Sequence, residues 1–136
     1  MRRRHPLPKL WLLTDERQGA ALWPALARLP RASGVVVRHY SLPAADRRRL
    51  FARITALGRA RGWTVLLAGD AALARAWRAD GHYGPAGRSG GLHMAPVHDR
   101  AEVRAAERAH ADLLVLSPLF PTRSHPGAKT LGTLGF

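Results

Sequence analysis

Residues 121–127 read "PTRSHPG", which places two hydroxyls, a guanidinium, an imidazole and a glycine within seven positions. Short donors and backbone amides that converge on one point make a cradle for an anion, and flanking prolines restrict the loop carrying them. Thr122, Ser124 and His125 are therefore candidates for holding a phosphate, with Arg123 beside them; the plain alternative is a solvated loop. A second candidate is Arg38, set in the run "GVVVRHY". A guanidinium is costly to bury in an apolar strand, so it should reach the strand's end, meet an anionic ligand or form a structural ion pair. Strand alternation puts Val36, Arg38 and Tyr40 on one face and His39 on the other. Asp70, after "WTVLLAG", suits either a helix cap or a metal ligand. His98, just before Asp99, is either a polar loop residue or a ligand contact.

These residues share a position in the chain's pattern. Short apolar runs alternate with helix-period segments, the mark of successive βα units. "KLWLLTD" opens the series, and residues 20–29 follow as a helix with Leu22, Leu26 and Leu29 on one face. "SGVVVRHY" is the second strand, with three β-branched valines suited to a buried parallel strand. Pro43 then starts a helix whose apolar stripe is Leu50, Phe51, Ile54 and Leu57. "WTVLLAGD" is the third strand, and Asp70 caps "AALARAW". "DGHYG" and "GLHMAPV" are short fourth and fifth strands, Asp99 and Glu102 form a capping box, and "ADLLVLSPLF" is the sixth strand. The pattern fits an open doubly wound sheet or the first six strands of a (β/α)8 barrel. No glycine-rich dinucleotide fingerprint follows the first strand, which lowers the nucleotide-binding form of the open sheet. In both architectures ligands meet the C-terminal ends of the strands. There the sequence offers Thr14, Asp15, Arg38, Tyr40, Asp70, His82, Tyr83 and His98, and then residues 122–125.

The chain has 136 residues, the size of one domain, so residues 1–136 are read as a single unit. Nothing in it approaches the ~20 apolar residues of a membrane helix, and no signal peptide is visible, so a cytoplasmic location and no membrane partner are expected. The absence of cysteine excludes disulfides, thiolate catalysis and cysteine-ligated zinc. The net charge of +13 invites a nucleic-acid reading. Against it, Lys9 and Lys129 are the only lysines, while Arg47, Arg48, Arg49, Arg59 and Arg61 sit in Ala-rich helical segments at positions that look solvent-facing. That distribution fits a coding bias toward Arg and Ala, and nucleic acid is not expected as a partner.

Taken together, the strand ends resemble the thiamine phosphate synthase/TenI family over residues 9–132. "LWLLTDE" is similar to the family's opening strand, which ends in Thr-Asp, and "ADG" at 79–81 to its Ala-Asp-Gly before a short fourth strand. In "APVHDRAEVRAAERAHADLLVLSPLFPTRSHPGA", Ala111, Asp112, Pro118, Phe120, Pro121, Thr122 and Gly127 match the family's segment residue for residue. The resemblance implies a (β/α)8 barrel and a Mg²⁺-assisted transferase that joins an aminopyrimidine diphosphate to a thiazole phosphate, releasing pyrophosphate. It would put Arg38 against the diphosphate, Thr122 and Ser124 on the thiazole-side phosphate with His125 closing that loop, and His98 at the histidine of the family's Ser-x-His turn.

The departures bear on this expectation. Val36 and Tyr40 replace the Gln and Lys that flank the family's Arg. Ala68 and Gly69 stand at its Asn-Asp pair, with Asp70 one place late as the remaining metal candidate. "GHYGPAGRSGG" contains no acid, and Pro96 and His125 replace a Ser and a Lys. Most of the diphosphate and metal machinery is thus absent, and the thiazole-phosphate loop is kept best. Two further readings follow: a thiazole tautomerase-like enzyme, although Pro118 stands where that branch has its acid-base histidine, and a non-catalytic phosphate-ligand binder or regulatory protein. The sequence stops before a seventh and an eighth strand, so the expected barrel is incomplete. Such a fragment should be unstable alone or form a homodimer that covers its open edges.

Overall fold

A computed structural model describes residues 6–85, 90–118 and 130. Six strands lie in chain order, β1 (Trp11–Leu13), β2 (Gly34–Val37), β3 (Thr64–Ala68), β4 (Gly81–Tyr83), β5 (Leu92–Val97) and β6 (Leu113–Leu116), each parallel to the next. Between them run α1 (Leu22–Arg28), α2 (Ala44–Arg61), α3 (Ala71–Ala76) and α4 (Arg100–Arg108). The sheet curls into a half-barrel, so the fold is an incomplete TIM-barrel-type α/β fold. The open doubly wound sheet is thereby set aside. The sequential order 1 to 6 is itself the barrel's order, since doubly wound sheets reverse direction at a switch point.

Alternation along the strands builds one core on each face of the sheet, and a smaller cluster of Ala95, Val97 and Ala106 joins β5 to α4. Val35, Val37, Val65 and Leu67 face the helices, where Leu22, Leu26, Leu29, Phe51, Ile54 and Trp63 cover them. Val36, Leu66, Ala68, Leu92 and Met94 face the concave side with Trp11, Leu13, Tyr83, Leu113 and Val115. Each fully buried Val or Leu contributes about 1.5–3 kcal/mol from lost apolar hydration, which offsets the shortness of the strands.

Helix α2 shows how burial selects a face. Its buried residues are Arg47, Phe51, Ile54 and Gly58, spaced four, three and four apart. The expected stripe is therefore rotated: Leu50 is only partly buried and Leu57 is 43% exposed. Gly58 takes the inward position because the helix lies close to Trp63 and Val65 there. Gly62, at φ +67°, ends the helix in the left-handed conformation.

Three local expectations are also corrected. Residues Glu16–Ala21 form a 3-10 turn, so the regular first helix begins at Leu22. The Asp15 carboxylate caps this turn from the Arg17 amide, and Gln18 returns a bond to the Asp15 amide. That Asp-x-x-Gln spacing was a readable signal. Strand β2 ends at Val37 and His39 has φ +41°, so the Val36, Arg38, Tyr40 alternation does not continue and Tyr40 is 63% exposed. Asp99 caps α4 through the Glu102 amide, but Glu102 bonds the amide of His98 in place of that of Asp99.

Candidate functional site at the C-terminal ends of the strands

The ends of β1 and β2 are tied by Thr14, which is fully buried. Its amide extends the ladder to the Val36 carbonyl. Its hydroxyl accepts from the Arg38 amide at 3.0 Å and lies 2.9 Å from His39 Nδ1. The Arg38 side chain turns back toward β1: Nε donates to the Thr14 carbonyl at 2.8 Å, and Nη2 lies 3.4 Å from Asp15 Oδ2. The Arg38 side chain is 27% exposed.

Electrostatics along this rim follow from these contacts. Arg17 grips Asp15 with Nε at 2.9 Å and Nη2 at 2.7 Å, and its amide adds a third bond. These bonds hold the Asp15 carboxyl well below the usual carboxylate range, with the charges of Arg17 and Arg38 adding to them. Ser41 donates its amide and hydroxyl to Glu16, which lowers that carboxyl too. Burial pushes the His39 imidazole down, and Arg47 and Arg38 add to this against the pull of Glu16 and Asp15. On the concave side Tyr83 closes β4, and burial pushes its phenol up.

The other expected residues are spread around the mouth. Asp70 caps α3, its Oδ1 accepting from the Leu73 amide at 2.7 Å. His98 Nδ1 is 2.9 Å from Glu102 Oε2, and both line an open cleft of about 280 Å³ with Pro85 and Pro96. His82, expected at an accessible strand end, is instead fully buried and stacks on its register partner His93 at 4.4 Å. Tyr40 leaves the strand and presents its ring 5.7 Å from the Arg47 guanidinium. Thr122, Arg123, Ser124 and His125 lie outside the described residues.

Reasoning from the sequence missed Arg47. Expected to face solvent, it is 8% exposed and reaches across the ends of β2 and β3. Its place seven residues before Ile54 and four before Phe51, on the same helical stripe, was the available signal. Arg61 is likewise engaged, donating to the Ala27 and Leu29 carbonyls.

A magnesium ion needs several oxygen ligands in near-octahedral array, carboxylates foremost. At this face Asp15 is bound by Arg17 and Arg38, Glu16 by Ser41, Asp70 by the start of α3 and Glu102 by His98. No group of three or more acidic or histidine side chains converges among the described residues. Each of these four carboxylates already has a partner within the protein.

No protein-family model matches the sequence, and no curated protein matches it. Among solved structures, the chain is similar to the thiamine phosphate pyrophosphorylase from Pyrococcus furiosus, with a TM-score of 0.77 and 22% identity over 95% of this chain and 67% of that one. The fold is thiamine phosphate synthase-like. At that identity the likeness is one of fold, and the thiamine phosphate synthase-like half-barrel is what brings Thr14, Asp15, Arg38 and Tyr83 to one end of the sheet. Among the described residues no helix is long and apolar enough to cross a membrane.

Proposed function

We propose that this is a thiamine phosphate synthase-like protein whose C-terminal face binds a phosphorylated substrate. On this reading the ligands are the aminopyrimidine diphosphate and thiazole phosphate of thiamine biosynthesis, in the cytoplasm. The observation that carries it is Arg38: a guanidinium just past the end of a buried strand, oriented by the Thr14 carbonyl and Asp15, on a side chain that stays partly exposed. A cation so oriented can meet a diphosphate without further reorganisation. Thr122, Ser124 and His125 belong to the same proposal as the thiazole-phosphate loop, and Tyr40 and His98 as pocket residues.

A second reading, a non-catalytic phosphate-ligand binder, is favoured by the engagement of Asp15, Glu16 and Asp70 in contacts within the protein. Calorimetry with thiazole phosphate and with aminopyrimidine diphosphate, each with and without Mg²⁺, followed by an assay for released pyrophosphate, separates the two. Turnover that requires Mg²⁺ supports the synthase. Binding without turnover supports the binder, and no binding of either compound rejects both.

A further inference from the structure

Arg47 leaves the first turn of α2 and lies over the C-terminal ends of two strands. Its Nε donates to the Arg38 carbonyl at 2.8 Å, and its Nη2 to the Ala68 carbonyl at 2.5 Å and the Val37 carbonyl at 3.5 Å. The guanidinium also sits 5.7 Å from the Tyr40 ring and 5.8 Å from the Trp77 ring. It is 8% exposed, and among the described residues no carboxylate forms an ion pair with it.

A desolvated cation held by carbonyl dipoles and aromatic faces is a costly way to join two strand ends. An apolar side chain would fill the same space more cheaply, and a lysine lacks the planar fork that reaches three carbonyls at once. The carbonyls chosen belong to Val37 and Arg38, where β2 gives way to the rim, and to Ala68, the last residue of β3. Fixing the Arg38 carbonyl fixes the peptide from which the Arg38 side chain springs toward Thr14 and Asp15. No carboxylate pairs with Arg47 among the described residues, and Glu16 acts on it only through space, so Arg47 adds positive potential beside the Asp15 and Glu16 carboxylates.

We infer that Arg47 is a positioning residue for an anion site at this rim: it sets the direction of the Arg38 guanidinium and adds positive potential behind it. The inference rests on the reading of Arg38 as the anion contact, and one readout is independent of that reading. In the ligand-free protein, the Arg38 Nε–H resonance, assigned by its loss in Arg38→Met, should be resolved and slow to exchange because Nε is bonded to the Thr14 carbonyl. Arg47→Met should move it to the position of free arginines, while Arg47→Lys, the milder change, should broaden or shift it. With inorganic pyrophosphate as the probe, Arg47→Met should weaken binding about tenfold or more, and the Arg38→Met/Arg47→Met double variant should bind little worse than Arg38→Met. A merely structural role would lower the melting temperature while leaving both the resonance and the affinity of the folded protein unchanged, and that result overturns the inference. If Arg47→Met does not fold, an unchanged resonance and affinity in Arg47→Lys overturns it equally. A wild-type protein that ignores pyrophosphate, with the Arg38 resonance still lost in Arg47→Met, rejects the anion reading and leaves the positioning of Arg38 by Arg47 intact.

Discussion

Thr14 and Arg38 bind each other twice: the Thr14 hydroxyl accepts from the Arg38 amide, and the Thr14 carbonyl accepts from Arg38 Nε. One residue thus fixes both the backbone and the side chain of the other. Thr14→Val keeps the shape and removes the hydroxyl, leaving the Arg38 amide and His39 Nδ1 without their partner. A loss of about 1–3 kcal/mol is expected, read as a lower urea midpoint at unchanged slope.

Arg38→Met tests the rim as an anion site. The charge-assisted contact it removes corresponds to about a tenfold to hundredfold loss of pyrophosphate affinity. Calorimetry at two ionic strengths should also show a weaker salt dependence in the variant. Equal affinity in both proteins would place the anion elsewhere.

Acid should weaken the fold in two stages. Burial lowers the folded-state pKa of His39, so between its ordinary value of 6.5 and that lower value the unfolded chain binds a proton the native state does not. Stability therefore falls as pH drops below about 6.5. Asp15 and Glu16 are also lowered, from 3.8 and 4.5, and their contribution, present above those values, is lost as pH falls through their folded pKa values. Urea midpoints between pH 8 and pH 3 should show both limbs. His39→Asn, which tolerates the positive φ, should flatten the first and keep the second; Asp15→Asn should weaken the second.

Gly81 pairs with Leu92 so closely that a Cβ on it would overlap the Leu92 carbonyl. Gly81→Ala must push β4 from β5, disturbing the adjacent His82–His93 stack. A destabilisation of about 1–3 kcal/mol is expected. It should appear as faster hydrogen exchange at the amides of Leu92 and Gly84, which bond across this part of the sheet.

The order of the elements was readable from the chain because its signals are local. Parallel strands buried on both sides must be continuous apolar runs, and Val35, Val36, Val37 and Val65, Leu66, Leu67 are such runs. Asp70 was likewise readable as a cap, since an acid one residue before a helix has a nearby amide to accept from. What needed the tertiary structure depends on distant partners. The inward turn of Arg47 requires open carbonyls on β2 and β3, the stacking of His82 on His93 requires the β4–β5 register, and the break in alternation after Val37 requires Thr14 to capture the Arg38 amide. The sequence by itself determined which segments are strands and helices and that their ends carry polar groups. Only the tertiary structure decided that Arg38 and Arg47 are spent holding the strand ends, because the bonds of Arg38 to the Thr14 carbonyl and of Arg47 to the Ala68 carbonyl join residues some 20 or more positions apart in the chain.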